Sequence, residues 1–378
     1  MRASRAVAAA ILLSVASSVA ACGDGGVTNA PPPSACPGAA ALWAASDYSS
    51  SAVGSLSLDG TVNSLAGAVD LGADPTMSVS GGEAFFVAED EDAFFALDGC
   101  GTPEQRFSAH LASQSGSSDP YAVAVAKDGS LWVPLYLAHA VLVLHPDGSV
   151  ARTIDLSSYD GDGNPEASDL VIVDTPAGEK AFVTLDRLNP YPQSVQPSWM
   201  LPIDVATGEA EAPVVLAGRN PFSVTRAGTD LWLAEPGNWD DATETDAGIE
   251  RFDTTTSTTG LVVTEAALGG SVSQIAVGGT CGVAIVAGPS DVNPTSLVTF
   301  DPIGAVLAST SNSPLATAGY DLEGLAWASS AFLVGDRRRG ADGYPVHVFA
   351  ADARCALTEM TENAPVLPLP PVAILPLP

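Results

Sequence analysis

Short apolar runs, most of them with an aromatic side chain, recur along the chain at a spacing of roughly 40–50 residues. Each run is followed by a loop and by a second segment in which apolar and polar residues alternate. A third segment of this kind precedes most of the runs. Alternation with a period of two predicts β-strands, and turn sequences such as LDG, KDG, PDG and ATG separate them. The seven runs are ALWAAS (41–46), AFFVAE (84–89), SLWVPL (130–135), AFVTLD (181–186), DLWLAE (230–235), GVAIVA (282–287) and AFLVGD (331–336).

Three or four short antiparallel strands per unit, repeated at a steady period, predict an all-β fold of the β-propeller class. The sequence resembles NHL- and YVTN-type propellers, most clearly in DPYAVAVAKDGSLWVPLYLAHAVLVLHPDGSVARTIDL (119–156). The resemblance extends over nearly all of residues 36–378, and it implies an architecture rather than one chemistry. We count seven blades, with a six-bladed ring as the alternative and a pair of β-sandwiches as a weaker one.

The first blade is incomplete, because residues 36–43 lead directly into what should be its second strand. PVAIL (371–375) offers the missing innermost strand. We therefore predict that the C-terminus closes the ring by pairing with the first blade, although the flanking prolines are awkward in a central strand because each one removes a hydrogen-bond donor.

The N-terminus carries an export signal. Arg2 and Arg5 precede an apolar stretch that is too short for a membrane span. Val19-Ala20-Ala21-Cys22 follows and resembles the lipobox of bacterial lipoproteins, which implies cleavage before Cys22 and lipidation of its thiol. We expect a signal peptide (1–21), a lipidated flexible tether (22–35) and a propeller domain (36–378), placed in the cell envelope on its periplasmic or outer surface.

Charge narrows the choice of partners. The chain has 14 basic and 44 acidic residues, and removal of Arg2 and Arg5 with the signal peptide leaves a net charge of −32. A chain this acidic repels nucleic acid and anionic headgroups. We therefore expect contact with the membrane through the lipid alone, and an envelope protein or a glycan as partner.

Four cysteines remain after Cys22, and an even number in an oxidising compartment predicts two disulfides. We label the strands of a blade A to D from the axis outward. The A–B and C–D turns then lie on one face, here called the lower face, and the B–C and D–A loops lie on the upper face. Cys36 and Cys281 fall beside A–B turns, and each is followed by a C–D cysteine of the next blade. This favours Cys36–Cys100 and Cys281–Cys355 over the other two connectivities.

Carboxylates gather at the upper face. Strand B tends to end in one, and further oxygen-bearing side chains precede the innermost strands. A ring of such side chains around a channel suits a hard cation such as calcium, although Asp-Pro and Asn-Pro are also ordinary turn starters. The first set is Asp47, Glu89, Asp90, Asp186, Glu235 and Asp336; the second is Asp74, Asp119, Asp169, Asn220 and Glu323.

YDLEGLAWASSAFLVGDRR (320–338) resembles the DLEG-type repeat of phytase-like esterase propellers and the EG-x-x-W opening of the gluconolactonase family. The second resemblance implies that Glu323 is a ligand of a divalent ion and that Asn220 supplies another. Asp119 and Asp169 occupy positions from which further ligands would come. A calcium ion held there would activate water or polarise a lactone carbonyl.

Two segments stand apart from the repeat. DGDGNPE (160–166) has the alternating oxygens of a calcium loop but lacks its downstream glutamate, so we interpret it as a solvated D–A loop. Arg337-Arg338-Arg339 is the chain's basic cluster. We expect it to be a solvated loop tip rather than a partner of neighbouring carboxylates or a site for an anionic ligand.

The sequence assigns no catalytic residue. It has no G-x-S-x-G elbow, and its four histidines occupy unrelated blade positions. Two functions remain: a tethered, non-enzymatic binding platform, which we favour, and a divalent-cation-dependent hydrolase of lactone or ester substrates.

Overall fold

The structure is a computed structural model, and it describes residues 36–64, 70–191, 193–239, 241, 243–289, 292–360 and 364–377. Cys22 and the expected signal peptide and tether lie outside these residues. Among the residues that are described, no helix is long and apolar enough to span a membrane.

Strands account for most of the regular structure. In chain order they are β1 (Ala41–Ser46), β2 (Ser51–Leu56), β3 (Val62–Ser64), β4 (Pro75–Ser80), β5 (Glu83–Ala88), β6 (Ala93–Leu97), β7 (Pro103–Ser108), β8 (Ala124–Val125), β9 (Leu131–Leu135), β10 (Ala140–Leu144), β11 (Val150–Asp155), β12 (Ala167–Thr175), β13 (Gly178–Leu185), β14 (Trp199–Asp204), β15 (Val214–Val215), β16 (Ser223–Ala227), β17 (Asp230–Glu235), β18 (Gly248–Asp253), β19 (Thr258–Thr264), β20 (Ser271–Gly278), β21 (Cys281–Ala287), β22 (Thr295–Phe300), β23 (Val306–Ala308), β24 (Leu322–Ala328), β25 (Ala331–Asp336), β26 (Tyr344–Ala351), β27 (Leu357–Glu359), β28 (Val366–Leu367) and β29 (Pro371–Pro376). Over the described residues, one short helix, α1 (Glu265–Leu268), and three 3-10 turns (Glu89–Glu91, Ser157–Tyr159 and Thr310–Asn312) accompany them.

These strands form seven antiparallel sheets arranged in a ring, which confirms the all-β, seven-bladed β-propeller and excludes the six-bladed alternative. Blades two to seven begin with β4, β8, β12, β16, β20 and β24, and each runs outward in chain order. The short β28 adds to blade seven by pairing with β26.

Blade one is completed from the far end of the chain, as predicted. Its order is β29-β1-β2-β3, and Trp43 lies opposite Ile374 in the register. The prolines that seemed awkward, Pro371 and Pro376, stand at the two ends of β29. β29 is also the innermost strand and pairs only with β1, so its missing donors interrupt no second ladder.

The core lies between neighbouring blades. Phe85 and Phe94 of blade two pack with Leu142 of blade three, and Trp43 of blade one packs with Leu333 of blade seven. Both faces of a blade are therefore covered. This explains why the second strands read as continuous apolar runs rather than as a strict alternation.

Both predicted disulfides are confirmed on the lower face. Cys36 pairs with Cys100 and joins blades one and two, with 4.7 Å between their Cα atoms. Cys281 pairs with Cys355 and joins blades six and seven, with 5.2 Å between their Cα atoms.

One kind of turn recurs in every blade on the lower face. In each blade the C–D turn contains an aspartate whose Oδ1 accepts a hydrogen bond from the backbone N–H two or three residues later. Such bonds satisfy turn amides and favour the charged carboxylate. They lower the pKa of Asp204 and of Asp253. The seven are Asp59, Asp98, Asp147, Asp204, Asp253, Asp301 and Asp352.

Candidate functional site

The first group of upper-face carboxylates belongs to blades two and three. Glu89 follows β5 in a 3-10 turn, and its N–H donates to the carbonyl of Asp74, 3.0 Å away. Burial, and then the charges of Asp74 and Asp119, raise the pKa of Glu89 to about 9. Burial, and then Asp74, raise the pKa of Asp119 to about 6. Three carboxyl groups from two blades therefore share one part of the upper face.

The second group belongs to blade four. Asp186 ends strand B, is buried, and accepts a hydrogen bond of 2.6 Å from Ser168 Oγ. Burial raises the pKa of Asp186 well above its usual range, and that of Asp169 to about 6. Glu166 accepts from the Leu188 N–H at 2.9 Å, and burial raises its pKa to about 7.

Two tyrosines of blade three link these groups. The rings of Tyr121 and Tyr136 stack with their centroids 5.0 Å apart. Burial raises the pKa of both phenols, followed by the charge of Glu89 for Tyr121 and of Asp186 for Tyr136. This pair was not predicted from the sequence. Its signal was a tyrosine directly after Asp119-Pro120 and another directly after β9.

Glu323 is paired with a cation of its own blade. It accepts a hydrogen bond from Arg337 Nη1, and burial raises its pKa to about 7 although Arg337 acts in the opposite direction. Arg337 Nη1 also donates to Tyr48 Oη at 3.2 Å, and its guanidinium lies 5.1 Å from the Tyr48 ring centroid. Position 323 thus already has a positive partner.

The expectation of a solvated basic tip was wrong for two of the three arginines. Besides Arg337, Arg338 forms hydrogen bonds with Asp336 through Nε (3.0 Å) and Nη2 (2.6 Å). His347 Nε2 lies 3.1 Å from the same carboxylate. These contacts outweigh burial and lower the pKa of Asp336 below its usual range. Arg337 and Arg338 therefore pair with Glu323 and Asp336, which lie near the ends of strands. The local sequence does not predict these pairs.

The four residues proposed as metal ligands do not form one group. The Asn220 side-chain amide donates to the carbonyl of Gly237 at 2.9 Å, Asp169 Oδ1 accepts from the Leu170 N–H at 2.7 Å, and Glu323 is paired with Arg337. Within the described part of the chain, no three His, Cys, Asp or Glu side chains converge as ligands of one ion. Calcium binding stays a prediction.

The 160–166 loop is bound to the B–C loops of blades four and three. Asp160 Oδ2 accepts from Gln196 Nε2 at 2.8 Å, and Asn164 Oδ1 lies 2.8 Å from His139 Nδ1. Its oxygens thus serve loop-to-loop contacts.

An aromatic group crosses the upper face. The ring centroid of Trp239, in the B–C loop of blade five, lies 5.1 Å from that of Phe222 and 6.4 Å from that of Tyr320. Phe222 precedes the inner strand of blade five, and Tyr320 precedes that of blade seven. The contact therefore links blade five to the loop that leads into blade seven.

Two B–C loops of the upper face are joined by hydrogen bonds. The Ser194 N–H of blade four donates to Asn238 Oδ1 of blade five at 3.0 Å, and Asn238 Nδ2 donates back to the Ser194 carbonyl at 3.2 Å. Arg219 donates to the same carbonyl. We call residues 187–191, 193–198 and 237–239 the upper ridge.

The fold and these side chains define a seven-bladed β-propeller whose upper face combines buried carboxylates with aromatic rings. Solved propellers match it at low sequence identity. A protein from Lactobacillus plantarum has a TM-score of 0.56 at 14% identity, covering 90% of this chain and 99% of that one.

A putative 6-phosphogluconolactonase from Bacteroides uniformis has a TM-score of 0.55 at 15% identity, with coverage of 89% and 98%. Virginiamycin B lyase from Staphylococcus aureus has a TM-score of 0.50 at 14% identity, with coverage of 80% and 93%. No protein-family model and no curated protein sequence matches the chain. At these identities the likeness establishes the fold alone.

Proposed function

We propose that the chain is a lipid-anchored propeller of the cell envelope that acts as a binding platform through its upper face. The observation that carries this proposal is the set of large apolar side chains exposed on upper-face loops. A rigid ring presents such loops at low entropic cost, which is how propellers commonly serve as platforms. These side chains are Tyr48, Leu137, Tyr191, Val195 and Phe222.

The position at which the chain enters the ring supports the choice of the upper face as the binding surface. Cys36 lies on the lower face, where its disulfide joins blades one and two. A tether formed by residues 22–35 therefore attaches at the lower face. We propose that the partner from the envelope binds the upper face, which lies on the opposite side of the ring from Cys36.

Lipidation is tested by Cys22→Ser. We expect the variant to leave the membrane fraction and appear in the soluble envelope or culture fraction, because the anchor is a single modified thiol. Fractionation with an antibody to the propeller measures the distribution, and Cys22→Ala should behave alike. A variant that still sediments with membranes would refute the anchor.

The alternative, a divalent-cation-dependent hydrolase, gains some support from the carboxyl groups of Asp74, Glu89 and Asp119, which share one region with raised pKa values. The pairing of Glu323 with Arg337 opposes it. A calcium ion at Glu323 would have to displace a guanidinium group that is already in place.

The effect of calcium on the melting temperature therefore distinguishes the binding platform from the hydrolase. Because Glu323 is paired, we expect calcium to leave the melting temperature of the mature domain unchanged, both in the wild type and in Glu323→Gln. Neither protein should hydrolyse p-nitrophenyl acetate or δ-valerolactone. A calcium-dependent rise of the melting temperature that Glu323→Gln abolishes would establish the ion site and favour the hydrolase.

A further inference from the structure

We infer that the upper ridge docks a polypeptide whose lysine or arginine side chains surround an apolar centre. The inference rests on the proposed platform function and names the chemistry of its partner. Three features of the ridge carry it: its exposed apolar tips, its fixed backbone and its charge.

The tips of the ridge are apolar. Tyr191 is 81% exposed and Val195 is 62% exposed. The two residues are four positions apart on one loop. Single exposed apolar side chains are normal on a protein surface. Here, however, the half-exposed Phe222 packs against Trp239, which belongs to the same ridge, with 5.1 Å between the ring centroids. Aromatic and aliphatic side chains grouped in this way are typical of contact surfaces.

The backbone beneath these tips is fixed. The N–H groups of Tyr191 and Gln193 both donate to Asn189 Oδ1, at 2.9 and 3.0 Å. The guanidinium of Arg187 lies 3.6 Å from the Trp199 ring centroid, and its Nη1 donates to the Pro197 carbonyl at 2.9 Å. With the reciprocal Ser194–Asn238 bonds, these contacts hold the loop before any partner arrives, which reduces the entropy lost on binding.

The arginines in and beside the ridge, Arg187 and Arg219, already have partners within the protein. Arg187 serves the loop contacts just described, and Arg219 forms ion pairs with Glu244 (2.8 Å) and Asp246 (3.0 Å). The exposed Asp162 and Asp241 add further negative charge beside the ridge. A basic polypeptide therefore meets complementary charge here, whereas an anionic lipid surface is repelled.

The test uses a phage-displayed library of random peptides, selected on the full mature domain and counter-selected on the double variant Tyr191→Ser/Val195→Ser. Both side chains point into solvent, so we expect the variant to keep the wild-type circular dichroism spectrum and melting temperature. Enriched peptides should combine Lys or Arg with an aromatic or aliphatic residue. Ile303→Ser is the matched control, since Ile303 is 90% exposed but lies on the lower face.

One enriched peptide is then synthesised and its Kd measured. We expect the double variant to bind it on the order of tenfold more weakly, as the loss of an aromatic anchor usually costs, and Ile303→Ser to bind like the wild type. Affinity should fall as salt rises from about 50 to about 300 mM. Acidic peptides, equal binding to both variants, or binding of the wild type to phosphatidylcholine vesicles that the double variant loses would overturn the inference. None of these outcomes depends on the fractionation of Cys22→Ser, so failure of the ridge and failure of the anchor are distinguishable.

Discussion

Blade five contains two carboxylic acids, Glu235 and Glu250, that have no access to solvent. Glu250 accepts hydrogen bonds from the N–H groups of Ala217 (3.1 Å) and Gly218 (2.6 Å). Among the described residues, none donates a hydrogen bond to either carboxyl oxygen of Glu235. Burial, and then the charge of Glu250, raise the pKa of Glu235 well above its ordinary value. Two ionised carboxylates have no hydrogen to share, so a proton on Glu235 supplies the donor that faces Glu250.

This proton makes stability depend on pH. The folded state keeps it, whereas the unfolded chain loses it near the ordinary value of 4.5. The free energy of unfolding therefore falls as pH rises above that value, by up to about 1.4 kcal/mol per pH unit from this group. Glu235→Gln removes the titration and keeps a hydrogen-bond donor. We expect the variant to gain stability relative to the wild type between pH 5 and pH 8.

Urea unfolding at several pH values measures the effect. Glu104→Gln, at an exposed position, is the control and should follow the wild type. If Glu235→Gln kept the wild-type pH dependence, the buried proton would have to reside elsewhere.

Among the elements, the short strand β29 completes the ring. It supplies the inner strand of blade one, and Ile374 is buried in the cluster that contains Trp43 and Leu333. Its contacts therefore join the first blade to the last. The ring is closed by backbone pairing and by packing rather than by a covalent bond.

Ile374→Ala tests this closure. Removal of a buried isoleucine side chain usually costs about 2–5 kcal/mol, because a cavity remains. We expect a loss in that range from urea unfolding, whereas Ile303→Ala on the exposed lower turn should stay within about 0.5 kcal/mol of the wild type. Equal small losses at the two positions would show that β29 contributes little to closure.

Elements were predictable here because their signals are local. Strand alternation and turn residues located the blades, and blade phase then placed Cys36, Cys100, Cys281 and Cys355 on one face. The upper-face chemistry was not predictable in the same way. The stacking of Tyr121 on Tyr136 and the pairing of Glu323 with Arg337 depend on which side chains meet after the blades have formed. Asn220 is an example: its residue type is suited to a metal ligand, but its side-chain amide donates a hydrogen bond to a backbone carbonyl.

At the scale of the whole molecule, some of the many acidic side chains stabilise turns. Seven aspartates lie in the C–D turns, one in each blade, and their carboxylates accept backbone hydrogen bonds there. Their number follows the number of blades, so part of the negative charge reflects turn formation. Upper-face carboxyl groups such as Glu89, Asp119 and Asp186, whose pKa values are raised by burial, belong to a different chemical environment.

The two ends of the ring meet at a single place. The Leu377 N–H donates to the Ala40 carbonyl at 3.3 Å, so the exit of β29 lies beside the entry to β1 on the lower face. A short peptide bridge could join these ends, and the chain could be opened at a turn of another blade instead. Circular permutation would then preserve every strand pair while moving the attachment point of the tether to a chosen blade. The order of blades in the gene is thus separable from the shape that they build.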